Sequence, residues 1–274
     1  MQILKVEEAA KYYRLHKSLL AGHDIVKAVD DVSLEIETGE SFGIVGESGS
    51  GKSTLASLIA HLEPLSAGKI YFDGENLAAV SKTRRRELRR NLQIVFQDAY
   101  ASLDPRFSVW ETLAEPIANF SLVKEKGVKP IKIITELLER VELSPTMLKR
   151  YPNELSGGER QRVCIARALS LAPKFIIFDE ATSGLDVTLQ SQILKLLKTL
   201  QTELKLTYLF ITHNLQLIPA LTDRVAVMRQ GKIVETLGSR NLKDAVHPYT
   251  KELLAAIPAS HPRLRKTVHT PAES

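Results

Sequence analysis

The stretch that most clearly specifies a chemistry runs from position 46 to position 54. Gly46, Gly51, Lys52 and Ser53 occupy the fixed places of the pattern Gly-x-x-x-x-Gly-Lys-Ser/Thr. Glycines let the backbone curl until successive N–H groups converge on an anion, and a helix starting here adds its positive end. The arrangement suits a polyphosphate. The residues expected to surround it are Gly46, Glu47, Ser48, Gly49, Ser50, Gly51, Lys52, Ser53 and Thr54.

Two side chains of this loop indicate the chemistry. Lys52 would place a positive charge beside the β- and γ-phosphates of a nucleotide, and the Ser53 hydroxyl would take one coordination place on Mg²⁺. The alternative is a chance glycine turn, but the apolar run 42–45 supplies the strand that the motif requires. The motif predicts a nucleotide site and leaves the task of the protein open.

A second set of polar side chains follows two apolar runs. The run 175–178 is continuous, as in a parallel strand buried on both faces, and it ends at Asp179 and Glu180; the run 207–211 leads to His213. Ligands of open α/β sheets bind at the carboxyl ends of strands. We therefore expect Asp179 to hold Mg²⁺, directly or through water, and Glu180 to orient or deprotonate an attacking water. An acidic loop and a structural histidine are the alternatives.

Another glycine turn, at 155–161, precedes a predicted helix over 162–171. Ser156, Gly157 and Gly158 therefore offer a second helix N-terminus to an anion, but no lysine accompanies them. We interpret this turn as part of a phosphate site that another element completes.

The elements that must position these residues form sheets and a helical insert. Residues 32–37 alternate apolar and acidic, and residues 3–8 and 70–73 are similar, so we predict an antiparallel β layer beside the glycine loop. Residues 224–236 predict a hairpin. From about 109 to 172 the apolar residues recur every three or four positions, which predicts helices.

Composition limits the classes of protein to consider. With 274 residues, 44% hydrophobic and 25% charged, the chain has the composition of a globular protein. Its one cysteine, Cys164, excludes an internal disulfide or a multi-cysteine metal site and is expected in the core. No apolar run approaches the roughly 18 residues of a membrane span, and the N-terminus lacks a signal-peptide pattern, so we expect a soluble intracellular chain.

The net charge of +5 and the basic run 82–90 would suit nucleic acid or lipid headgroups. Such a run is more often a solvated helix face. Because no aromatic side chains are interleaved with it, we expect no nucleic-acid partner.

Tyr12 and Tyr13 stand just before the segment 17–27, in which Gly22 suggests a loop. An aromatic face there could stack on a purine base. A half-buried strand residue is the simpler interpretation of the spacing alone.

Taken together, these motifs resemble those of the ATP-binding cassette (ABC) ATPases, over about residues 2–258. The matching motifs are the Walker A loop at 46–53, the Q-loop at Gln97, the signature at 155–161, the Walker B strand at 175–180, the D-loop at 183–186 and the switch histidine His213.

A finer resemblance is to the ATPases of oligopeptide, dipeptide and nickel importers. It is carried by residues 96–106, Glu115, Pro116 and residues 247–254. The chain departs from the common pattern at Ala99 and Ala181, where proline is frequent, at Asp104, where asparagine is, and at Glu159, where glutamine is.

This resemblance implies an α/β fold with a P-loop NTPase, RecA-like core, an antiparallel β subdomain and an α-helical signature subdomain. The ATPase domain would span 2–258, with the helical subdomain at about 98–172 and a flexible tail at 259–274. The resemblance also implies the roles of single residues. Tyr12, with Tyr13 as the alternative, would stack on adenine; Ser53, Gln97 and Asp179 would hold Mg²⁺; and Glu180, His213 and Gln97 would be catalytic.

By the same resemblance, two such domains pair head to tail, so that Ser156, Gly157 and Gly158 reach the γ-phosphate of ATP held by the partner. The expected assembly has a second ABC ATPase subunit, identical or a sister, and two transmembrane permeases. It also has, indirectly, an extracytoplasmic substrate-binding protein. The ATPases would lie on the cytoplasmic face of the inner (cell) membrane, and residues 100–106, with Tyr100 and Leu103, would dock on a permease.

The expected function is ATP hydrolysis that energises uptake of peptides, nickel or a metal chelate. An exporter ATPase is an alternative. A DNA-repair ATPase would need a long coiled-coil insert and a translation factor would be expected to carry two cassettes in one chain, and the sequence contains neither.

Overall fold

The structure, a computed structural model, describes residues 1–15, 24–121 and 127–256. The predicted tail at 259–274 and most of the predicted loop at 17–27 lie outside these residues. The described chain forms two β-sheets, with helices packed against the larger one.

The smaller sheet is the antiparallel layer that the alternating runs predict. Its four strands stand in the order β2-β1-β4-β5. They are β1 (Gln2–Leu15), β2 (Asp24–Glu37), β4 (Ala67–Phe72) and β5 (Glu75–Asn76).

The larger sheet has six strands in the order β10-β9-β3-β8-β7-β6. Its strands are β3 (Ser41–Val45), β6 (Leu92–Val95), β7 (Phe175–Asp179), β8 (Thr207–Thr212), β9 (Arg224–Arg229) and β10 (Lys232–Gly238). All neighbours are parallel except β9 and β10, which form the predicted hairpin. Strands β3, β7 and β8 are buried at every residue, as their continuous apolar runs predict.

The register of this sheet brings the functional strand ends to one edge. Val45 pairs with Thr212, Asp179 pairs with Ile211, and Val95 pairs with Phe178. The residues that follow β3, β6, β7 and β8 therefore leave the sheet side by side, where α/β folds bind ligands.

Helices follow most of these strands. The α-helices are α1 (Lys52–Ile59), α2 (Lys82–Asn91), α3 (Ala99–Ser102), α4 (Val109–Asn119), α5 (Pro130–Arg140), α6 (Gly157–Leu169), α7 (Val187–Leu204), α8 (Ile218–Leu221) and α9 (Pro248–Ala255). Short 3₁₀ helices lie at Pro145–Lys149, Pro152–Glu154, Leu215–Leu217 and Ser239–Asp244. None of the described helices is long and apolar enough to cross a membrane.

The helical insert shares an apolar core with the larger sheet. Residues of α4, α5 and α6 pack together and against one face of the larger sheet, and Cys164 lies among them with 4% of its surface exposed. The other face of that sheet shares a core with α1 and the antiparallel layer. A third apolar cluster joins Val45 of β3, Val225 and Val227 of β9, and Tyr249 of α9.

The basic run forms helix α2, whose buried residue is Leu88. Arg84 there makes exposed ion pairs with Glu75 and Glu87. The run thus has the solvated face that its composition predicts.

Candidate functional site

The glycine loop between β3 and α1 is shaped by close backbone approaches. A Cβ at Gly46 would lie 2.1 Å from the carbonyl oxygen of Met228, and one at Gly51 would lie 2.0 Å from that of Ala28. Gly51 also has φ +103°, a left-handed conformation that favours glycine. Only glycine fits at these two positions, which hold the loop against β2 and β9.

The Lys52 ammonium group lies inside the curl of this loop. Its Nζ donates hydrogen bonds to the carbonyl oxygens of Gly46 (2.9 Å) and Glu47 (2.7 Å), and only 4% of the residue is exposed. Burial lowers the pKa of Lys52, and the carboxylates of Glu180 and Asp179 oppose that shift. A buried cation with neutral carbonyl partners is prepared to receive an anion.

Ser53 and Asp179 meet at the edge of the larger sheet. The Ser53 hydroxyl donates to Asp179 Oδ1 at 3.0 Å, although the two residues are 126 positions apart. Burial raises the pKa of Asp179, and the hydrogen bond from Ser53 partly offsets the effect. The pair therefore presents two oxygen atoms that could bind a cation. The site disfavours the negative charge of Asp179 unless a cation compensates it.

These donors fit Mg²⁺ in kind and in number. Within residues 1–15, 24–121 and 127–256, no group of three or more His, Cys, Asp and Glu side chains could hold a metal ion. Mg²⁺ accepts oxygen ligands and commonly takes only one or two from protein, the rest coming from phosphates and water. A site with Ser53 and Asp179 is consistent with that preference.

Glu180 and His213 form a second pair at the same edge. His213 Nδ1 lies 3.2 Å from Glu180 Oε1, with side-chain exposures of 57% and 16%. Glu180 has φ +49°, and its backbone is held by hydrogen bonds with Ile211 and Ser183. A strained backbone conformation persists only where surrounding contacts hold it, and such residues are common at functional sites, where they fix the direction of a side chain. The expected placement of His213 beside the acids is what the structure shows.

Gln97 lies at this edge as well, two residues past the end of β6. Because Val95 pairs with Phe178, Gln97 is level with Glu180 in the parallel register. Its side chain is exposed, and Asp98 immediately caps α3 through the N–H groups of Tyr100 and Ala101. The chain therefore turns away from the sheet just after Gln97.

The second glycine turn begins α6 at Gly157, five residues before the predicted start. Ser156 and Glu159 form a capping box, in which the Ser156 hydroxyl accepts from Glu159 N–H and the Glu159 carboxylate accepts from Ser156 N–H. Glu159, one of the departures from the family pattern, thus has a local role. The hydrogen bond from the Ser156 N–H lowers the pKa of the Glu159 carboxyl group.

The neighbours of this turn belong to the segment after β7. A Cβ at Gly157 would lie 3.8 Å from Leu185, and one at Gly158 would lie 3.2 Å from Leu189. Ser156 and Gly157 are exposed, whereas Gly158 is buried. The turn presents its first two residues to solvent.

The two adjacent tyrosines face different partners. Tyr12 donates to Asp30 Oδ1 at 2.8 Å. Tyr13 donates to Glu63 Oε2 at 2.7 Å and its hydroxyl also meets the Thr54 side chain, the last residue of the glycine loop. Of the two, Tyr13 is therefore the one in contact with the loop.

Residues 100–106 are only partly a surface. Tyr100 is 54% exposed, with the Arg160 guanidinium 5.2 Å from its ring centre. Leu103 is 2% exposed and belongs to the core of the helical insert. The expectation that Leu103 offers a docking surface is wrong, because its side chain is used in packing.

The sequence did not predict that the glycine loop contacts Tyr249 of α9. The Glu47 N–H donates to the Tyr249 hydroxyl at 3.1 Å. The segment 247–254 stands out in the sequence only through its family resemblance, and no spacing rule connects α9 to residue 47.

Comparison with known proteins supports the same interpretation. The family described as "ABC transporter" matches residues 29–183. The chain is 43% identical to "Probable peptide ABC transporter ATP-binding protein y4tS" of Sinorhizobium fredii over 274 residues, 99% of this chain and 76% of that protein. It is 44% identical to "Oligopeptide transport ATP-binding protein OppF" of Bacillus subtilis over 258 residues, 93% of this chain and 84% of that protein.

Solved structures agree with these sequence matches. The dimeric, post-hydrolysis structure of the ATP-binding cassette MJ0796, bound to ADP and Pi, matches with a TM-score of 0.75 at 30% identity. The match covers 87% of this chain and 99% of that one.

Proposed function

The chain belongs to the ATPase family of ABC transporters, and from this premise we propose that it is the ATP-hydrolysing subunit of a peptide importer. The observation that carries the proposal is the convergence of Lys52, the Ser53–Asp179 pair and the Glu180–His213 pair at one sheet edge. These residues supply the positioning and charge that phosphoryl transfer to water requires.

Each residue then has a definite role. Lys52 exchanges its carbonyl partners for the β- and γ-phosphates, Glu180 accepts a proton from the attacking water, and His213 orients Glu180 and faces the γ-phosphate. Gln97 lies level with Glu180 and senses the same phosphate. The contact between Glu180 and His213 supports this assignment, because a general base needs a fixed direction.

Mg²⁺ belongs to the same proposal. Ser53 and Asp179 would hold it, with Gln97 as a further ligand from the neighbouring strand end. When bound, the ion neutralises charge on the β- and γ-phosphate oxygens. The Ser53 to Asp179 distance of 3.0 Å and the preference of Mg²⁺ for oxygen support this assignment.

For the base of the nucleotide, we favour Tyr13 over Tyr12. The Tyr13 hydroxyl meets Thr54 at the end of the loop, whereas Tyr12 is tied to Asp30 and has Lys27 5.5 Å from its ring centre. An aromatic ring next to the loop can stack on a purine.

The signature turn fits a head-to-tail pair of subunits. The exposure of Ser156 and Gly157 at the start of α6 supports contact with a phosphate outside this chain. MJ0796 is a dimer in its post-hydrolysis structure with ADP and Pi. We propose the same arrangement here, with an identical or a sister subunit.

We propose peptides as the cargo and the cytoplasmic face of the cell membrane as the location. The names of the relatives, which are peptide and oligopeptide transport ATP-binding proteins, support the cargo. The location follows from the proposed role, because an ATPase that drives uptake must reach the ATP of the cytoplasm. Nickel and metal chelates, the other cargoes of the resembled importers, are outcomes of the test. The permeases and an extracytoplasmic binding protein complete the proposed assembly.

Uptake in cells lacking this chain tests the proposal. We expect loss of uptake of a radiolabelled oligopeptide and its recovery when the intact chain, but not Glu180→Gln, is supplied. Labelled Ni²⁺ is measured in parallel. Normal peptide uptake in the deleted cells would contradict the proposed cargo, and a selective Ni²⁺ defect would identify the other class.

A further inference from the structure

The phosphate loop contacts helix α9 through Tyr249. The Tyr249 hydroxyl accepts a hydrogen bond from the backbone N–H of Glu47 at 3.1 Å, across 202 positions of sequence. The carbonyl oxygen of Glu47 accepts from Lys52 Nζ at 2.7 Å. Residue 47 is thus held through its N–H by α9 and through its carbonyl by the cation that receives phosphate.

The Tyr249 side chain is itself firmly placed. Only 1% of the residue is exposed, it belongs to the apolar cluster that includes Val45 and Val227, and the Arg229 guanidinium lies 4.5 Å from its ring centre. Burial raises the pKa of Tyr249, so the hydroxyl stays protonated at neutral pH. The ring has little freedom, and the position of its oxygen is fixed by packing.

Strand β10 and the helix cap fix α9 in turn. The Glu235 carboxylate accepts from the N–H groups of Val246 (2.7 Å) and His247 (3.2 Å), and His247 Nδ1 accepts from Tyr249 N–H at 3.2 Å. These bonds secure the entry into α9 at the residues just before Tyr249. Because α9 is fixed in this way, the Tyr249 hydroxyl holds the Glu47 peptide in one position relative to α9.

We propose that Tyr249 is a positioning residue for nucleotide binding, whose hydroxyl holds the Glu47 peptide so that the phosphate loop is ordered before the nucleotide arrives. A loop ordered during folding does not have to be ordered again on binding, which improves affinity without new contacts to the ligand. The effect acts equally on the ground state and the transition state, so it changes nucleotide affinity and leaves kcat at saturating ATP unchanged.

The change Tyr249→Phe tests this, because it removes one oxygen and keeps the ring that packs. We expect the Kd of a fluorescent ADP analogue, measured on the purified full chain, to rise about fivefold, the effect of one lost hydrogen bond of ordinary strength. Hydrogen exchange of the Glu47 amide should quicken in the same variant, and kcat should stay at the parental value.

Tyr208→Phe is the matched control. Tyr208 is likewise 1% exposed, and its hydroxyl donates to the carbonyl oxygen of Leu197 at 3.1 Å, inside the core beside α7. This variant loses a buried hydrogen bond of the same length without touching the loop. Its nucleotide Kd and its Glu47 amide exchange should match those of the parent chain.

An unchanged Kd in Tyr249→Phe overturns the proposal whatever the exchange rate. So does an equal rise in Kd in both variants, since that would reflect lost stability. A rise in Kd without faster exchange at Glu47 also overturns it, because the effect would not act through that amide. A fall in kcat at saturating ATP with no change in Kd would assign Tyr249 to the catalytic step instead.

Discussion

Glu180 illustrates how much of the site depends on backbone placement of single residues. It follows a buried strand, adopts φ +49°, and has its carbonyl oxygen held by the Ser183 hydroxyl at 2.7 Å. The side chain then meets His213 rather than Lys52. No ion pair joins Glu180 to Lys52 in the described part of the chain, although the Glu180 carboxylate acts on the Lys52 charge and opposes the lowering of the Lys52 pKa.

We expect Glu180→Gln to bind ATP normally and to hydrolyse it at least about 100-fold more slowly, because the carboxylate acts on water and not on nucleotide affinity. Steady-state turnover and titration with a fluorescent ATP analogue measure the two effects. Glu203→Gln, an exposed change on α7, is the control and should match the parent chain. Turnover at the parental rate in Glu180→Gln would remove the residue from the role of base.

The buried Asp179 gives a prediction about stability and pH. Burial raises its pKa above the ordinary 3.8, so the ionised form is disfavoured in the folded chain relative to the unfolded chain. This penalty is absent below the ordinary value and develops as pH rises through the raised pKa. Asp179→Asn keeps an oxygen for the Ser53 hydroxyl and removes the charge.

We therefore expect nucleotide-free Asp179→Asn to unfold about 2 °C above the parent chain at pH 7, the shift that ~1 kcal/mol produces in a chain of 274 residues. The difference should shrink as pH falls toward 4. Thermal denaturation followed by circular dichroism measures it, with the exposed Asp244→Asn as control. A lower melting temperature for Asp179→Asn at pH 7 would mean that attraction to the Lys52 charge outweighs the cost of burying the carboxylate.

At the scale of elements, the ends of helices proved harder to predict than the strands. The apolar runs of β7 and β8 identified two buried strands and placed Asp179, Glu180 and His213 at one edge, because parallel strands share their carboxyl ends. The start of α6 was predicted at residue 162 but lies at Gly157. The Ser-x-x-Glu spacing at 156–159 is the pattern of a capping box and would have indicated the correct start. The two glycines between Ser156 and Glu159 favoured a turn instead, which moved the predicted start to residue 162.

Long-range side-chain contacts away from the carboxyl ends of the parallel strands could not be predicted. The Tyr249–Glu47 bond joins residues that share no periodic pattern, and the burial of Leu103 depends on which side of a short turn faces the helical core. Of the adjacent Tyr12 and Tyr13, the sequence could not select one, since neighbouring strand residues differ only in the face they present. Packing decides each of these cases.

The cap at Ser156 provides a test of the head-to-tail pair. Asp is as good an N-cap as Ser, so Ser156→Asp should preserve α6 while setting a negative charge where a partner's γ-phosphate is proposed to bind. We expect a normal melting temperature, normal binding of ATP to the monomer, and loss of ATP-dependent dimers in size-exclusion chromatography.

Ser144→Asp is the control for this change, because Ser144 is an exposed cap of the 3₁₀ helix at Pro145–Lys149. It should dimerise and hydrolyse ATP as the parent chain does. Full hydrolysis by Ser156→Asp would contradict a role of the signature turn at a shared nucleotide.

At the scale of the whole molecule, the chain passes at Gln97 from the larger sheet into the helical insert. The two faces of that sheet belong to different cores: one is shared with α4, α5 and α6, and the other with α1 and the antiparallel layer. The segment after Gln97 connects them, caps α3 through Asp98 and exposes Tyr100. If Gln97 contacts the γ-phosphate and Tyr100 contacts a permease, as we propose, the two contacts are only three residues apart, as a coupling between hydrolysis and movement requires.

We expect Tyr100→Ala to leave hydrolysis by the purified chain within about twofold of the parent, because Tyr100 contributes no group to phosphate chemistry. Uptake in cells, and substrate-stimulated hydrolysis in liposomes with the permeases, should fall. Tyr151→Ala, also an exposed tyrosine of the helical insert, is the control. A parallel loss of basal hydrolysis would show that Tyr100 supports the fold through its contact with Arg160.

The burial of Cys164 makes this chain unusually convenient for site-specific labelling. It is the one cysteine of the sequence, 4% of it is exposed, and burial raises its pKa to about 11, so almost none of it is the reactive thiolate at neutral pH. The natural chain should therefore be inert to maleimide and methanethiosulfonate reagents while folded. A cysteine introduced at an exposed position such as Ser144 would then carry the dye or spin label alone, and distances across an assembled pair could be followed through a hydrolysis cycle without removing a native thiol.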